Sequence, residues 1–170
     1  MKPEYSRMRG NGASSPAAKQ FEKACAHWDS GEHGRAFRLF LLGAKSGDPS
    51  CQLNLGFFYD QGIGVRPDPE KALRWYKHAH RGGSTSAALN IGIVHRDQGR
   101  LAQAIRWFQR ALERGNDDTG LQLAEVYLQA GEVRRARGCL KKVLRSSNVT
   151  EETRRKARRH LGKMVERRRE

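Results

Sequence analysis

The chain has 170 residues, the length of one domain, and its 37% hydrophobic against 30% charged residues leave it a thin core. No run approaches the roughly 18 consecutive apolar residues of a membrane-spanning helix, which argues against a transmembrane protein. The net charge of +15 calls for a counterpart with acidic surface, whether protein, nucleic acid or anionic membrane face.

Residues 1–18 are Gly, Ser, Pro and Ala with scattered charge. They are read as a flexible tail, since so little apolar surface cannot offset the entropy of ordering. Early basic residues without an apolar stretch do not make a secretory leader. Residues 19–30 form the first predicted helix, with Phe21, Ala24, Cys25 and Trp28 on one stripe. A turn at 31–34 leads to a partner helix at 35–46 carrying Ala36, Leu39, Phe40 and Gly43. Asp48-Pro49 caps the next helix, to about Gln61, by the preference for an acid at the N-cap and proline just inside. Gly62-Ile63-Gly64-Val65 breaks the chain, and Asp68-Pro69-Glu70 restarts it through 68–81, with Ala72, Trp75, Tyr76 and Ala79 at helical spacing. Two further pairs follow, at 84–98 with 100–114 and at 117–130 with 132–144. After a break at 146–149, Thr150 caps a last helix with Glu151 and Glu152 in its first turn.

The pairs repeat one another. Ala36, Ala72, Ala104 and Ala136 are spaced by 36, 32 and 32 residues, and Trp75 and Trp107 by 32. Gly31, Gly62, Gly99 and Gly131 follow each first helix, and Gly47, Gly82 and Gly115 are assigned to the ends of the first three second helices. Asn54-Leu55-Gly56 returns as Asn90-Ile91-Gly92 and, weakly, as Gln122-Leu123-Ala124. A helix-turn-helix unit with this period predicts an α-solenoid.

Residues 54–83, NLGFFYDQGIGVRPDPEKALRWYKHAHRGG, resemble the Sel-one-like branch of the tetratricopeptide repeats, whose marks are LGxxYxxGxGV, an acid, KAxxWYxKAA and a closing glycine. The resemblance is looser over 19–47, closer to plain tetratricopeptide repeats over 84–144, and covers about three quarters of the chain. It implies an all-α, right-handed solenoid of about four helix-turn-helix repeats at 19–145, followed by a basic capping helix and tail at 150–170. Gly56 and Gly92 are then the positions where the two helices of a unit touch.

Catalytic chemistry is not apparent. His27, His33, His78, His80, His95 and His160 are scattered, and His27 and His95 fall at the repeat place of Tyr59 and Tyr127, a packing position. HExxH, paired CxxC and GxSxG are missing, and Gly62-Ile63-Gly64 has neither the preceding strand nor the third glycine of a dinucleotide loop. Asp117-Asp118 sits at a helix start, where the dipole accounts for acids. No catalytic residue, metal or cofactor is assigned, and the protein is read as a non-enzyme. Three cysteines, Cys25, Cys51 and Cys139, without a close pair, suit reduced thiols in a cytoplasmic setting. The repeat spacing of Trp75 and Trp107 favours packing between helices over base stacking.

The resemblance implies that the first helix of each pair lines a concave surface. Its candidate ligand-reading residues are Phe21, Cys25, Trp28 and Asp29; Leu53, Asn54, Phe57 and Asp60; Leu89, Asn90, Ile93, Arg96 and Asp97; and Leu121, Gln122, Glu125 and Gln129. Asn54 and Asn90 match the family's asparagine, which bonds either a ligand backbone or its own neighbouring helix. Leu53, Phe57, Leu89 and Ile93 make an apolar groove for a partner's segment, unless the chain itself covers them.

Charge is uneven along the chain: residues 1–131 hold 18 basic and 13 acidic side chains, residues 132–170 hold 15 and 5. Arginines make up 23 of the 33 basic residues, a type that pairs bidentately with carboxylate or phosphate. The last helix places Arg154, Arg155, Arg158, Arg159 and Lys163 as a basic patch that is either a solvated cap face, a contact for an acidic protein or a nucleic-acid contact. The expected function is protein–protein interaction through the groove and the basic end. The chain then serves as an adaptor or regulator, or as a bacterial immunity protein that neutralises a toxin. The alternative is a basic RNA-binding protein.

Overall fold

The structure, a computed structural model, describes residues 16–166, with side chains for 18–164; residues 1–15 of the predicted tail and the final residues 167–170 lie outside the described residues. Among the described residues there are nine helices and no strand: α1 (Pro16–Asp29), α2 (His33–Lys45), α3 (Pro49–Gln61), α4 (Pro69–Arg81), α5 (Thr85–Asp97), α6 (Leu101–Glu113), α7 (Thr119–Gln129), α8 (Val133–Arg145) and α9 (Glu151–Glu166). Among the described residues no helix is long and apolar enough to cross a membrane. Consecutive helices pair as hairpins, each hairpin packs on the next, and α9 closes on α8. Along the row of first helices α3 also meets α5, and α7 meets α9, so this row is the tighter, inner one. The chain is therefore an all-α repeat solenoid with α2, α4, α6 and α8 as its outer row.

Local chemistry explains the starts. The Asp48 carboxylate accepts the Cys51 N–H at 2.6 Å, and Asp68 accepts the Lys71 N–H at 2.9 Å. Each satisfies one of the donors that a helix start leaves open, and Pro49 and Pro69 follow where no N–H is required. The Thr150 hydroxyl accepts the Thr153 N–H at 3.3 Å. Helix α1 begins at Pro16, inside the predicted tail, and Gly34 lies within α2 instead of its turn. The pair Gly82-Gly83 closes α4, Gly82 as its cap and Gly83 in the left-handed region at φ 94°. Gly82 also packs on the start of α3, the first helix of its own hairpin, where an added Cβ would stand 2.6 Å from the Pro49 ring.

Within each hairpin a small residue on the first helix faces a large one on the second. A Cβ on Gly56 would stand 2.6 Å from the Tyr76 ring, and one on Gly92 2.4 Å from the Phe108 ring. Tyr76 and Phe108 are fully buried, and each stabilises the fold by about 1.5–3 kcal/mol through burial alone. At the same register the outer hairpins carry Ala24 with Phe40 and Ala124 with Leu140, all buried. Trp75 and Trp107 lean half-buried on the core of the hairpin before theirs, so both indoles are packing groups. Helix α9 contributes the buried Ala157, with Leu161 and Met164 packed on the core of α7 and α8.

Asp117 and Asp118 do more than meet a helix dipole. Asp117 accepts the Ser146 hydroxyl at 2.6 Å, while one Asp118 oxygen accepts the Thr150 N–H at 2.9 Å and the Thr150 hydroxyl at 3.1 Å. The start of α7 is thereby tied to the start of α9.

Candidate functional site

Every third or fourth residue of α1, α3, α5 and α7 faces the inner wall, because helical periodicity returns a side chain to one face at that spacing. Its apolar part begins with Phe21 and Trp28 on α1. Trp28 meets Phe57 edge-on at 6.2 Å between ring centres and Phe58 at 5.0 Å. Phe57 is half-buried against the core of α3 to α5, and Ile93 and Leu89 are half-buried against the core of α6 to α8. These side chains are anchored on one side and open on the other.

Leu53 does not join them: at 8% exposure it belongs to the core between α3, α4 and α5. Leu121, 4% exposed, is likewise a core residue. Asn54 is 6% exposed and its amide donates to the Ser50 carbonyl of its own helix at 2.8 Å. Of the two alternatives for this asparagine, the structure selects the bond within the helix. Asn90, in the same register, is half-buried, and its side-chain amide makes no hydrogen bond among the described residues. Its amide is the one available to a ligand.

The polar rim of the wall is acidic. Burial pushes the Asp60 carboxyl above its usual range, and the Asp97 carboxylate adds to this, against the amide of Gln61 that donates to Asp60 at 3.1 Å. Arg96 is the cation among them, and it is already engaged. Its guanidinium reaches Asp97 at 2.8 Å and donates to the Gln122 amide oxygen on α7. Glu125 stands 3.4 Å from the His160 ring of α9. That contact places the stripe Lys156, His160 and Lys163 beside the end of the wall, a placement with no local signal in the sequence.

The basic patch separates into engaged and open members. Arg154 and Arg158 both pair with Glu151, at 2.9 and 3.1 Å, and Arg154 also donates to the Ser146 carbonyl at 3.1 Å. Arg155 pairs with Glu152. Arg154 in particular fastens α9 to the preceding break. Arg159 and Lys163 have no ion-pair partner among the described residues, so they are the open cations of the patch.

The titratable groups are dispersed, and no three of His, Cys, Asp and Glu gather to hold a metal among the described residues. His27 meets Glu32 at 2.9 Å, and the Arg35 guanidinium holds the Glu32 carboxyl below its usual range, with His27 adding to it. His95 is buried at 7% exposure, as Tyr127 is at 6% in the same register. Cys51 is fully buried, and burial pushes its thiol far up. The three cysteines are free thiols.

Comparison with known families gives two matches. The Sel1 repeat family matches residues 33–48 and 49–84, and the tetratricopeptide repeat family matches residues 84–148. A crystal structure of a Sel1 repeat protein from Oxalobacter formigenes superposes with a TM-score of 0.65 at 23% identity, covering 87% of this chain and 62% of that one. The crystal structure of MamA superposes at 0.59, with 23% identity over 71% of this chain and 72% of that one. A protective antigen of uropathogenic Escherichia coli superposes at 0.62, with 23% identity over 81% of this chain and 31% of that one. Among curated proteins, chitin synthase regulatory factor 3 of Schizosaccharomyces pombe is 32% identical over 62 residues, which span 36% of this chain and 7% of that protein.

Proposed function

The chain belongs to the Sel-one-like repeat proteins of the tetratricopeptide repeat superfamily, whose general work is protein–protein interaction, and we propose that it grips one partner protein along its inner wall. The observation that carries this is the row Trp28, Phe57 and Ile93, apolar side chains anchored in the core yet open toward the wall. Such half-buried aromatic and aliphatic groups, ringed by polar ones, are what binding hot spots are made of. The partner supplies an apolar anchor for this row. Asn90 bonds its backbone, and Asp60 and Asp97 favour a neutral or basic stretch over the middle of the wall. Acidic surface on the same partner meets Arg159 and Lys163 at the α9 end, where charge steers encounter more than it adds affinity.

The reading is one of binding without catalysis, in a cytoplasmic setting. Use as an adaptor or regulator and use as an immunity protein that neutralises a toxin are both served by this wall. The test begins with capture of the partner from the native cell, followed by calorimetric titration of that partner. Phe57→Ala with Ile93→Ala should weaken binding by at least about tenfold, the scale of one hot-spot residue. Unchanged affinity in a folded double variant would remove the wall from the interface.

A further inference from the structure

The two rows of helices differ in charge far more than the two ends of the chain do. The inner helices α1, α3, α5 and α7 together hold three Lys and Arg against five Asp and Glu. The outer helices α2, α4, α6 and α8 hold fifteen Lys and Arg against two Glu. Arg38, Arg74 and Arg106 occupy one register of three successive outer helices, at the same 36- and 32-residue spacing as the repeat. All three are exposed and make no ion pair among the described residues. Helix α8 continues the face with Arg134, Lys141 and Arg145, also exposed and unpaired by acids there.

We propose that this outer row is a second interaction surface, and that it binds the phosphate backbone of a nucleic-acid duplex without reading sequence. The proposal does not rest on the groove reading, since no residue is shared. Ten of the fifteen cations are arginine, whose planar fork fits phosphate oxygens. Arg110 lies over the Trp107 ring at 4.6 Å, a cation–π contact that leaves its N–H donors without an acid partner among the described residues. Backbone contact suits the face better than base stacking, because Trp75 and Trp107 are committed to packing. A membrane surface suits it less. The exposed large hydrophobics, Leu42 and Val133, sit on α2 and α8 at opposite ends of the row, so there is no apolar wedge to enter a bilayer. The α9 patch is a weaker candidate, since three of its five cations are held by Glu151 and Glu152.

The experiment is fluorescence anisotropy of a labelled duplex with the full chain, titrated with salt between about 50 and 200 mM. Two variants carry equal charge change: Arg74→Glu/Arg106→Glu/Lys141→Glu on the outer row and Arg155→Glu/Arg159→Glu/Lys163→Glu on α9. Circular dichroism reports their folding, and the corresponding Gln triples serve if a Glu triple unfolds. The outer-row variant should lose at least about tenfold in affinity and reduce the salt slope by about 3, one per contact removed; the α9 variant should lose much less. Equal loss in both variants would show a response to net charge alone and overturn the proposal. So would absence of binding at about 150 mM salt, equal competition by polyglutamate, or tighter binding to phosphatidylserine vesicles than to the duplex.

Discussion

Gly92→Ala tests how the hairpins are held together. The added methyl carbon would stand 2.4 and 2.5 Å from two carbons of the Phe108 ring. Phe108 is fully buried, packed with Ala104, Leu123 and Val126, so the ring has no free space to yield into. Overpacking of this kind costs about 1–3 kcal/mol. Replacing a mid-helix glycine returns about 1 kcal/mol through helix propensity. The net expectation is a loss of up to about 2 kcal/mol, seen as a lower urea midpoint followed by circular dichroism. Phe108→Leu alone should also destabilise, by the cavity it leaves. The two together recreate the pair Ala124 with Leu140 that the next hairpin uses. The double variant should therefore be more stable than the sum of the singles by about 1 kcal/mol, a coupling typical of residues in contact. Strict additivity would refute the argument that the glycine exists to admit the ring.

Two further outcomes are expected. Asp118→Ala removes the acceptor of the Thr150 N–H and hydroxyl and should loosen α9 by about 1–3 kcal/mol; faster amide exchange confined to residues 151–164 would show it, and unchanged exchange would refute the tether. Burial, followed by the Arg100 and Lys77 cations, holds the His95 ring below its usual value, with Glu70 opposing. The folded chain then binds fewer protons at this site than the unfolded chain. Its contribution is complete above about pH 6.5 and is lost as pH falls through that value toward the folded one. His95→Tyr, the residue of the same register at 59 and 127, should flatten the decline in urea midpoint between about pH 7 and 5; an equally steep decline would count against it, with His80, also lowered by burial, carrying the remainder.

The fold was legible because its signals are local or periodic. Gly56 and Gly92 announced the hairpin contacts by recurring with the aromatic residues they face. Asp48-Pro49 and Asp68-Pro69 mark helix starts by chemistry within four residues. What the sequence left unread depends on rotation or on distance. Asn54 matches a ligand-reading position, yet the rotamer of its side chain turns the amide onto the Ser50 carbonyl one turn back in the same helix. The pairing of Asp118 with Thr150 spans 32 residues with no pattern to flag it. The charge asymmetry was present in the letters, but counting along the chain averaged alternate helices together. Counting by odd and even helices exposes it.

The packing is more extensive within a hairpin than between hairpins, and no hairpin touches beyond its neighbours through its outer helices at any comparable extent. Each hairpin is thus a stiff link, and the junctions α2 with α3, α4 with α5 and α6 with α7 are the joints. A slight tilt at each joint adds to the next, so the mouth of the curve can widen or narrow while every glycine–aromatic lock stays shut. By this build the array would flex as a short spring, each hairpin a stiff leaf and each junction a hinge.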